Sequence, residues 1–560
     1  MYRANFRPRP VRSCFSIRQL AALSGLWSLL ACGHSSNSAA PGTSGGSPAA
    51  VAESGGVSGA NSGGNSSGGG RAGANSGGVS AAFGGAGNVS GHDGGATASL
   101  GGASGASSAN SASGTGGASA TGGSAATACP TLPATPIPAN GIIQFNDNGG
   151  WNWFQDERAV VDRAKNRFVI GSVASGGARD GDIEAVVYDV GTGTKQLFTL
   201  GTGLKATPDD RNAPTFLVRP DGKYFAMWTG NRIDCDSRSS IFDGAAWSTE
   251  ALFDWSSLGC PWGTGTVLNR VVYANPWYLG GSIFAAVRSV DTIPTFLRSD
   301  DGGVTQSYYG RLVAAPFLGF VGGYYKYWGN NSDRIDFVGT EGHPRDIDAS
   351  LWHGYLKAGK LYDSKDTVLD DNVTDSDAPA IKSYTPAVAT GVTLGGVTLN
   401  HLWNHDIVRY ADGTIAILGQ GHVGSNMTDP DLRLIYARYD GSAWRSSYLA
   451  KAGHKLTVDD QDYTGLSALH PDNPNIIFIS TNVDPRDDST PLAKHEIFEG
   501  VTCDGGATWR WAPLTQGSTV DNLRPIVPKW DASHTLLLWL SGTYTTAQQY
   551  SLTVVGTTTL

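Results

Sequence analysis

Two stretches of this chain read as copies of one object. "RPDGKYFAMWTGN" (219–231) and "RYADGTIAILGQGH" (409–422) each carry an Asp-Gly turn, a run of β-branched and aromatic residues, and a glycine-containing exit. Asn231 and His422 stand ten residues after their turn aspartates. An Asp-Gly step between two such runs specifies a tight β-hairpin, so Thr215–Arg219 and Tyr224–Trp228 are expected as its strands. "FDGAAW" (242–247) repeats as "YDGSAW" (439–444), and "SDDGGVTQ" (299–306) as "TCDGGATW" (502–509). Recurrence of one short β-unit over several hundred residues excludes a helical fold and favours a radial array over a single sandwich or barrel. The expected fold class is therefore all-β, a β-propeller.

Composition sets where that array starts. From Cys129 to Leu560 tryptophan is frequent and turn residues punctuate short strands, whereas residues 33–128 are nearly all Gly, Ser, Ala and Asn. Within that segment Glu53, Arg71 and Asp93 are the charges and Phe83 the aromatic. Such a stretch lacks the apolar surface to offset its ordering entropy and is read as a flexible tether over 32–128. Residues 1–31 carry Arg3, Arg7, Arg9, Arg12 and Arg18 ahead of the short apolar run Leu20–Ala31, the layout of an export leader. The run is too short for a retained membrane span. It ends in Leu29-Leu30-Ala31-Cys32-Gly33, which resembles a lipoprotein cleavage site and implies Cys32 as a lipid anchor to the outer membrane or cell surface; the alternative is ordinary leader cleavage and secretion.

Loss of the leader removes five arginines and takes the formal net charge from −9 to −14. No basic block remains, which argues against nucleic acid as a partner. The four cysteines beyond Cys32 fall in an exported context that permits disulfides. Cys235–Cys260 is the expected bridge, although four cysteines allow three pairings. No CxxC or HExxH pattern calls for a metal. No cofactor is required, and calcium or zinc would be a structural addition. A monomer is expected.

"TCDGGATW" resembles the Asp-box, S-x-D-x-G-x-T-W, of sialidase-type propellers; "SDDGGVTQ" departs from it at Gln306. The aspartate caps backbone N–H groups of a tight turn and the glycine admits positive φ, so the motif supports the fold and not a reaction. Longer segments, "WNWFQDERAVVD" (151–162), "DDRNAPTFLVRPDG" (209–222), "GTEGHPRDIDASLWHGYLKAGKLYDS" (339–364) and "DNLRPIVPKW" (521–530), resemble the BNR-4 repeat family over most of residues 140–556. That family includes seven-bladed lyases acting on ulvan, and the resemblance implies an all-β, seven-bladed β-propeller with a uronate-containing acidic polysaccharide as substrate.

Elimination at a 4-linked uronate needs a cation on the C6 carboxylate, a base near C5 and a proton donor for the leaving oxygen. Arginine suits the first role through its planar fork. In the related lyases two histidines lie at the ends of a second-blade hairpin, followed by a tyrosine and an arginine in the third blade. By position the histidine places here hold Arg211 and Asn231, next to Asn212, and the third-blade places hold Tyr273 and Arg288. Tyr273, Arg288 and His343, which sits at a strand exit in "EGHPRDID", are the catalytic candidates. His405 and His422, the fifth- or sixth-blade counterparts of that cluster, join Arg158 and Arg524 as expected substrate contacts. His353, inside a Trp-Tyr strand, reads as core. Two other readings stand beside the lyase: a sialidase-like hydrolase using Arg158, Arg288, Arg524 and Tyr544, for which no tyrosine-partnered glutamate is apparent, and a non-catalytic glycan-binding propeller.

Overall fold

The Asp-Gly turns close as their chemistry requires. At Asp221-Gly222 the Arg219 N–H donates to Lys223 O at 2.8 Å and the Gly222 N–H to Arg219 O at 2.9 Å. The Asp412-Gly413 turn repeats this, with Tyr410 N–H to Thr414 O at 2.8 Å and Gly413 N–H to Tyr410 O at 3.0 Å. Gly222 (φ +76°) and Gly413 (φ +89°) occupy the left-handed position that a three-residue hairpin loop reserves for glycine. These hairpins belong to a computed structural model described for residues 129–202, 209–231, 233–258, 260, 271–314, 322–424, 426, 428, 430–453, 455–457 and 462–560. The leader, the tether and Cys32 lie outside the described residues.

Seven antiparallel sheets follow one another along the chain. Blade 1 comprises Ala159–Asp162, Arg167–Val173, Ile183–Asp189 and Thr194–Gly201; blade 2, Thr215–Val218, Tyr224–Thr229, Asp236–Phe242 and Ala251–Asp254. Blade 3 runs from Val272–Leu279 to Ser307–Arg311, and blade 4 from Tyr325–Gly329 to Thr385–Val388. Blade 5 contains the long strands Val397–Arg409 and Ile415–Val423, blade 6 starts at Ser467–Leu469, and blade 7 at Asp521–Ile526. Neighbouring blades meet through these first strands, and through Val397–Arg409 in blade 5, which form the inner ring. Blade 7 takes its fourth strand, Ile143–Asn146, from the opposite end of the domain, pairing Ile143 with Gly556 and Gln144 with Val555. That pairing turns the row of blades into a closed ring. The result is an all-β, seven-bladed propeller.

Two devices recur between blades. Thr502 Oγ1 accepts from Gly506 N–H at 2.9 Å, and Asp504 accepts from Thr508 N–H and Oγ1 at 2.9 and 2.6 Å. Ser299, Asp301, Gly303 and Thr305 make the same set. A Cβ on Gly303 or Gly506 would stand 2.3 Å from the ring of Phe225 or Tyr436 in the preceding blade, so glycine lets each turn lie flat on that ring. Where the second turn has Trp509, the first has Gln306, whose Nε2 donates to Ser239 Oγ at 2.9 Å across the blade boundary. The cysteines form two bridges: Cys235–Cys260, as expected, and Cys129–Cys503, which ties the segment before the closing strand to blade 6.

Candidate functional site

The second-blade hairpin brings its two polar ends together through a residue between them in space, Asp209. Its carboxylate caps the short turn Asp210–Asn212 by accepting Arg211 N–H at 2.9 Å, and both oxygens accept Arg211 Nη1 at 3.1 Å. Asn231 Nδ2 donates to Asp209 Oδ2 at 2.9 Å, the Asn231 N–H donates to Asn212 Oδ1 at 2.7 Å, and Gln548 of blade 7 donates to Asp209 as well. Arg211 and Asn231 are therefore fixed, and Arg211 Nη2 reaches the Tyr463 hydroxyl at 3.3 Å.

Cross-strand register explains the next pair. Val272 pairs with Arg288, and the ladder slips between Val272 and Asn275. The slip puts Tyr273 at φ +61°, a costly conformation for a bulky residue. Its ring lies 4.5 Å from the Arg288 guanidinium carbon, with the Tyr324 ring 5.1 Å away. Arg288 is only 6 % exposed, yet Nε and Nη1 have no hydrogen-bond partner. Among the described residues the other buried arginines, Arg158, Arg238, Arg334 and Arg524, each hold a carboxylate or carbonyl oxygen. Arg288 holds none. Tyr273 itself is 7 % exposed. Positive φ recurs at this end of the inner ring, at His401, Leu466 and Arg524, so the fold stores backbone strain where several blades converge.

Blades 4 to 6 add an aromatic wall. Tyr324 stands edge-on to His343 at 5.2 Å, His343 lies 4.8 Å from Trp403, and Trp403 stacks on Phe154 at 3.9 Å. Trp153 stacks on Tyr463 at 4.5 Å. The His343 Nδ1 accepts the Arg345 N–H at 3.1 Å, so its neutral ring carries the proton on Nε2. Burial, helped by the Arg345 cation, lowers its pKa to about 4. His422 Nε2 meets Asp462 Oδ1 at 2.5 Å, while His422 Nδ1 and Asp462 Oδ2 are buried without partners. His401, 5.3 Å from His422, faces the carbonyls of Pro344 and Ile347 at 2.6 and 2.9 Å.

Three expected substrate contacts are placed differently. Arg158 is fully buried and donates to the carbonyls of Asp156, Ala213 and Ala274. Arg524 pairs with Asp210 at 3.2 Å and covers the Trp153 ring. His405 commits both nitrogens, to Ser467 Oγ at 2.9 Å and Gln420 Oε1 at 3.1 Å, and burial with the nearby Lys326 cation lowers its pKa to about 3. Arg158 and His405 turn their polar atoms into the scaffold between blades, whereas Arg524 commits Nη2 to Asp210 and leaves Nε and Nη1 buried without a partner among the described residues. Tyr544 joins them, its hydroxyl donating to Asp210 at 3.0 Å. His353 is core, bonded to Ser364 Oγ and Asp336 Oδ1 at 2.8 and 3.2 Å. Among the described residues one acidic group, Asp370, Asp375 and Asp377 at the rim of blade 4, has the spacing to hold a cation.

Sequence reasoning missed Asp209 as the hub, and Tyr324, Trp403, Asp462 and Tyr463 as neighbours. One signal was available: "DDQDYTG" (459–465) and "DDRNAPT" (209–215) are both acidic runs directly before an inner strand.

No protein-family model matches the sequence, and a search of curated proteins found no match. Among solved structures, the fold is similar to that of a polysaccharide lyase PL25 ulvan lyase, at 12 % identity over 74 % of this chain and 95 % of that one, with a TM-score of 0.50. The same kind of enzyme bound to -[GlcA(1-4)Rha3S]- gives 12 % identity, 73 % and 94 % coverage, and a TM-score of 0.50. An α-L-arabinanase of Penicillium chrysogenum follows at 10 % identity, 62 % and 92 % coverage, and a TM-score of 0.33. At these identities the likeness extends to the propeller fold.

Proposed function

We propose that this propeller is a carbohydrate-active enzyme, a lyase that cleaves a uronate-containing polysaccharide by β-elimination at the cluster around Tyr273 and Arg288. The observation that carries the reading is Arg288, a buried guanidinium held between two tyrosine rings with no anion among the described residues to pair with it. Burying a cation unpaired is costly, and a bidentate carboxylate from a ligand removes that cost. A C6 carboxylate on Arg288 sets C5 beside Tyr273. Tyr273, as the phenolate, takes the C5 proton; the freed electron pair forms the C4–C5 double bond as the C4–O4 bond breaks. Tyr273 then returns the proton to the departing O4. Arg288 stabilises the charge that develops on the carboxylate during proton removal. The neutral His343 ring and the Asp209-held Arg211 serve as positioning donors for sugar hydroxyls. The likeness in fold to a lyase bound to a glucuronate–rhamnose unit supports this substrate class. We include in the proposal a lipid anchor at Cys32 and a tether over 32–128 that present the domain at a cell surface.

The test is incubation with a panel of uronic-acid polysaccharides, followed by ultraviolet absorbance of the conjugated product. Wild type gains absorbance and Tyr273→Phe gains none, with its fold intact by circular dichroism. Equal turnover by Tyr273→Phe refutes the assignment. Reducing ends released without new absorbance indicate a hydrolase. A second reading, a glycan-binding propeller without catalysis, is favoured by one observation: Asp209 locks both residues that stand at the histidine places. Retention on polysaccharide with no cleavage selects it.

A further inference from the structure

At the opposite end of the inner strands lies a second concavity that the proposed reaction does not use. It encloses about 230 Å³ between the inner strands of blades 1 to 4 and the chain leaving that of blade 7. Two tryptophans, Trp277 and Trp328, line one side with ring centroids 5.8 Å apart and planes 56° apart. Asp156 and Glu157 line it as well. Asp156 is 7 % exposed; its Oδ1 accepts the Tyr327 N–H at 3.1 Å, and its Oδ2 has no partner. The Glu157 carboxylate, on a half-buried residue, accepts a hydrogen bond from its own backbone N–H. Trp277 Nε1 and the Tyr278 hydroxyl are also buried and unpartnered. Buried polar atoms are ordinarily satisfied, so three such atoms around one cavity, Asp156 Oδ2, Trp277 Nε1 and the Tyr278 hydroxyl, mark a place that a polar ligand or ordered water completes.

We propose that this cavity is a second binding site, for one neutral sugar ring, stacked on Trp277 or Trp328 and bonded through its hydroxyls to Asp156, Glu157 and Tyr278. The volume falls just below the range of about 300–1,000 Å³ for drug-sized ligands, which suits a single ring. Aromatic faces pack against the C–H face of a pyranose, and hydroxyls both donate to the carboxyl oxygens and accept from the indole N–H. An organic cation is the competing occupant, and the surroundings disfavour it. Arg163 and Lys529 line the cavity from exposed positions. Burial raises the pKa of Asp156 to about 7, against the opposing pull of Lys326, and burial raises that of Glu157 also. At neutral pH the Asp156 carboxyl is therefore only partly charged and can donate as well as accept a hydrogen bond. This inference is independent of the chemistry assigned to Tyr273 and Arg288.

The experiment is calorimetric titration of the whole protein with rhamnose, xylose, glucose and galactose, and with choline as the cation probe. At least one sugar binds, with a dissociation constant of about 1 mM, equivalent to about −4 kcal/mol. Trp277→Ala and, separately, Glu157→Gln weaken it tenfold or more, about 1.4 kcal/mol. Both variants keep the wild-type circular dichroism spectrum, and Arg288→Met leaves sugar binding unchanged. Absence of binding by every sugar overturns the proposal. So does preference for choline, or binding that survives Trp277→Ala and is lost in Arg288→Met.

Discussion

Replacing Arg288 with methionine separates what the residue does for the fold from what it does for a ligand. Methionine keeps an unbranched apolar stem of similar reach and removes the cation. In the wild type two guanidinium nitrogens, Nε and Nη1, are buried without partners. At about 1–3 kcal/mol for each unsatisfied donor the substitution relieves about 2–6 kcal/mol. It also forfeits the contacts with Tyr273 and Tyr324, at 4.5 and 5.1 Å. At about 0.5–2 kcal/mol each, those offset about 1–4 kcal/mol. The balance favours the variant by about 1–2 kcal/mol. Urea unfolding followed by tryptophan fluorescence at neutral pH reads this as a midpoint shifted upward with unchanged slope. A saturating oligouronate then raises the midpoint of the wild type and leaves that of Arg288→Met in place. A variant less stable than wild type by more than about 1 kcal/mol would show that the guanidinium is a structural element. The argument from an unpaired cation to an anionic ligand would then fail.

Asp209→Ala strands Arg211 and Asn231 together. Breaking one side of a buried ion pair costs about 3–5 kcal/mol, read as a lowered denaturation midpoint, whereas a loss below about 1 kcal/mol would show Asp209 to be a bystander. His343 titrates near pH 4, so the pH profile of turnover should carry no separate limb near the ordinary histidine value of about 6.5. A limb near 6.5 that disappears in His343→Gln would refute the buried, neutral ring. Asp156 has its folded pKa raised from 3.8 to about 7 by burial, so its contribution is fully present below 3.8 and lost as the pH rises to 7. At 1.36 kcal/mol per unit, wild type should lose about 4 kcal/mol relative to Asp156→Asn across that window, and a constant difference would refute the shift.

Local chemistry made the hairpins legible, because an Asp-Gly step specifies its turn wherever it stands. The expected strands Thr215–Arg219 and Tyr224–Trp228 differ from the observed Thr215–Val218 and Tyr224–Thr229 by one residue at one end. Blade 4 was less legible. Thr385–Val388 returns to pair with Leu351–His353, a contact that depends on chain path and not on any local pattern. The same division runs through the site. Arg211, Asn212 and Asn231 flank one hairpin, and Tyr273 and Arg288 flank the next, so proximity in sequence predicted proximity in space. Tyr324, Trp403 and Tyr463 come from three further blades and meet the first group through ring geometry alone. At His405 and Arg524 a polar residue at an equivalent strand position was expected as a substrate contact, and both side chains bond between blades, His405 to Ser467 and Gln420 and Arg524 to Asp210. Whether a side chain turns toward the axis or into a blade interface depends on bulges such as those between Asn404 and Asp406 and between Leu523 and Ile526, which leave little trace in residue type.

The strand that completes blade 7 also dictates an order of assembly. Ile143 and Gly556 are 413 residues apart, the difference of their numbers, and must meet before the ring exists. Joining ends over such a length costs about 5 kcal/mol of chain entropy by the logarithmic rule, and contacts of this range form slowly. Blades 1 to 6 can each close as their own residues emerge during synthesis, but Gln549–Thr557 and its partner must wait for the last of the chain. Until then the nascent protein carries two raw sheet edges, one on Ile143–Asn146 and one on blade 7. Such edges are templates for pairing between molecules, so a chain interrupted shortly before residue 549 would accumulate as aggregates and not as a slightly weaker propeller.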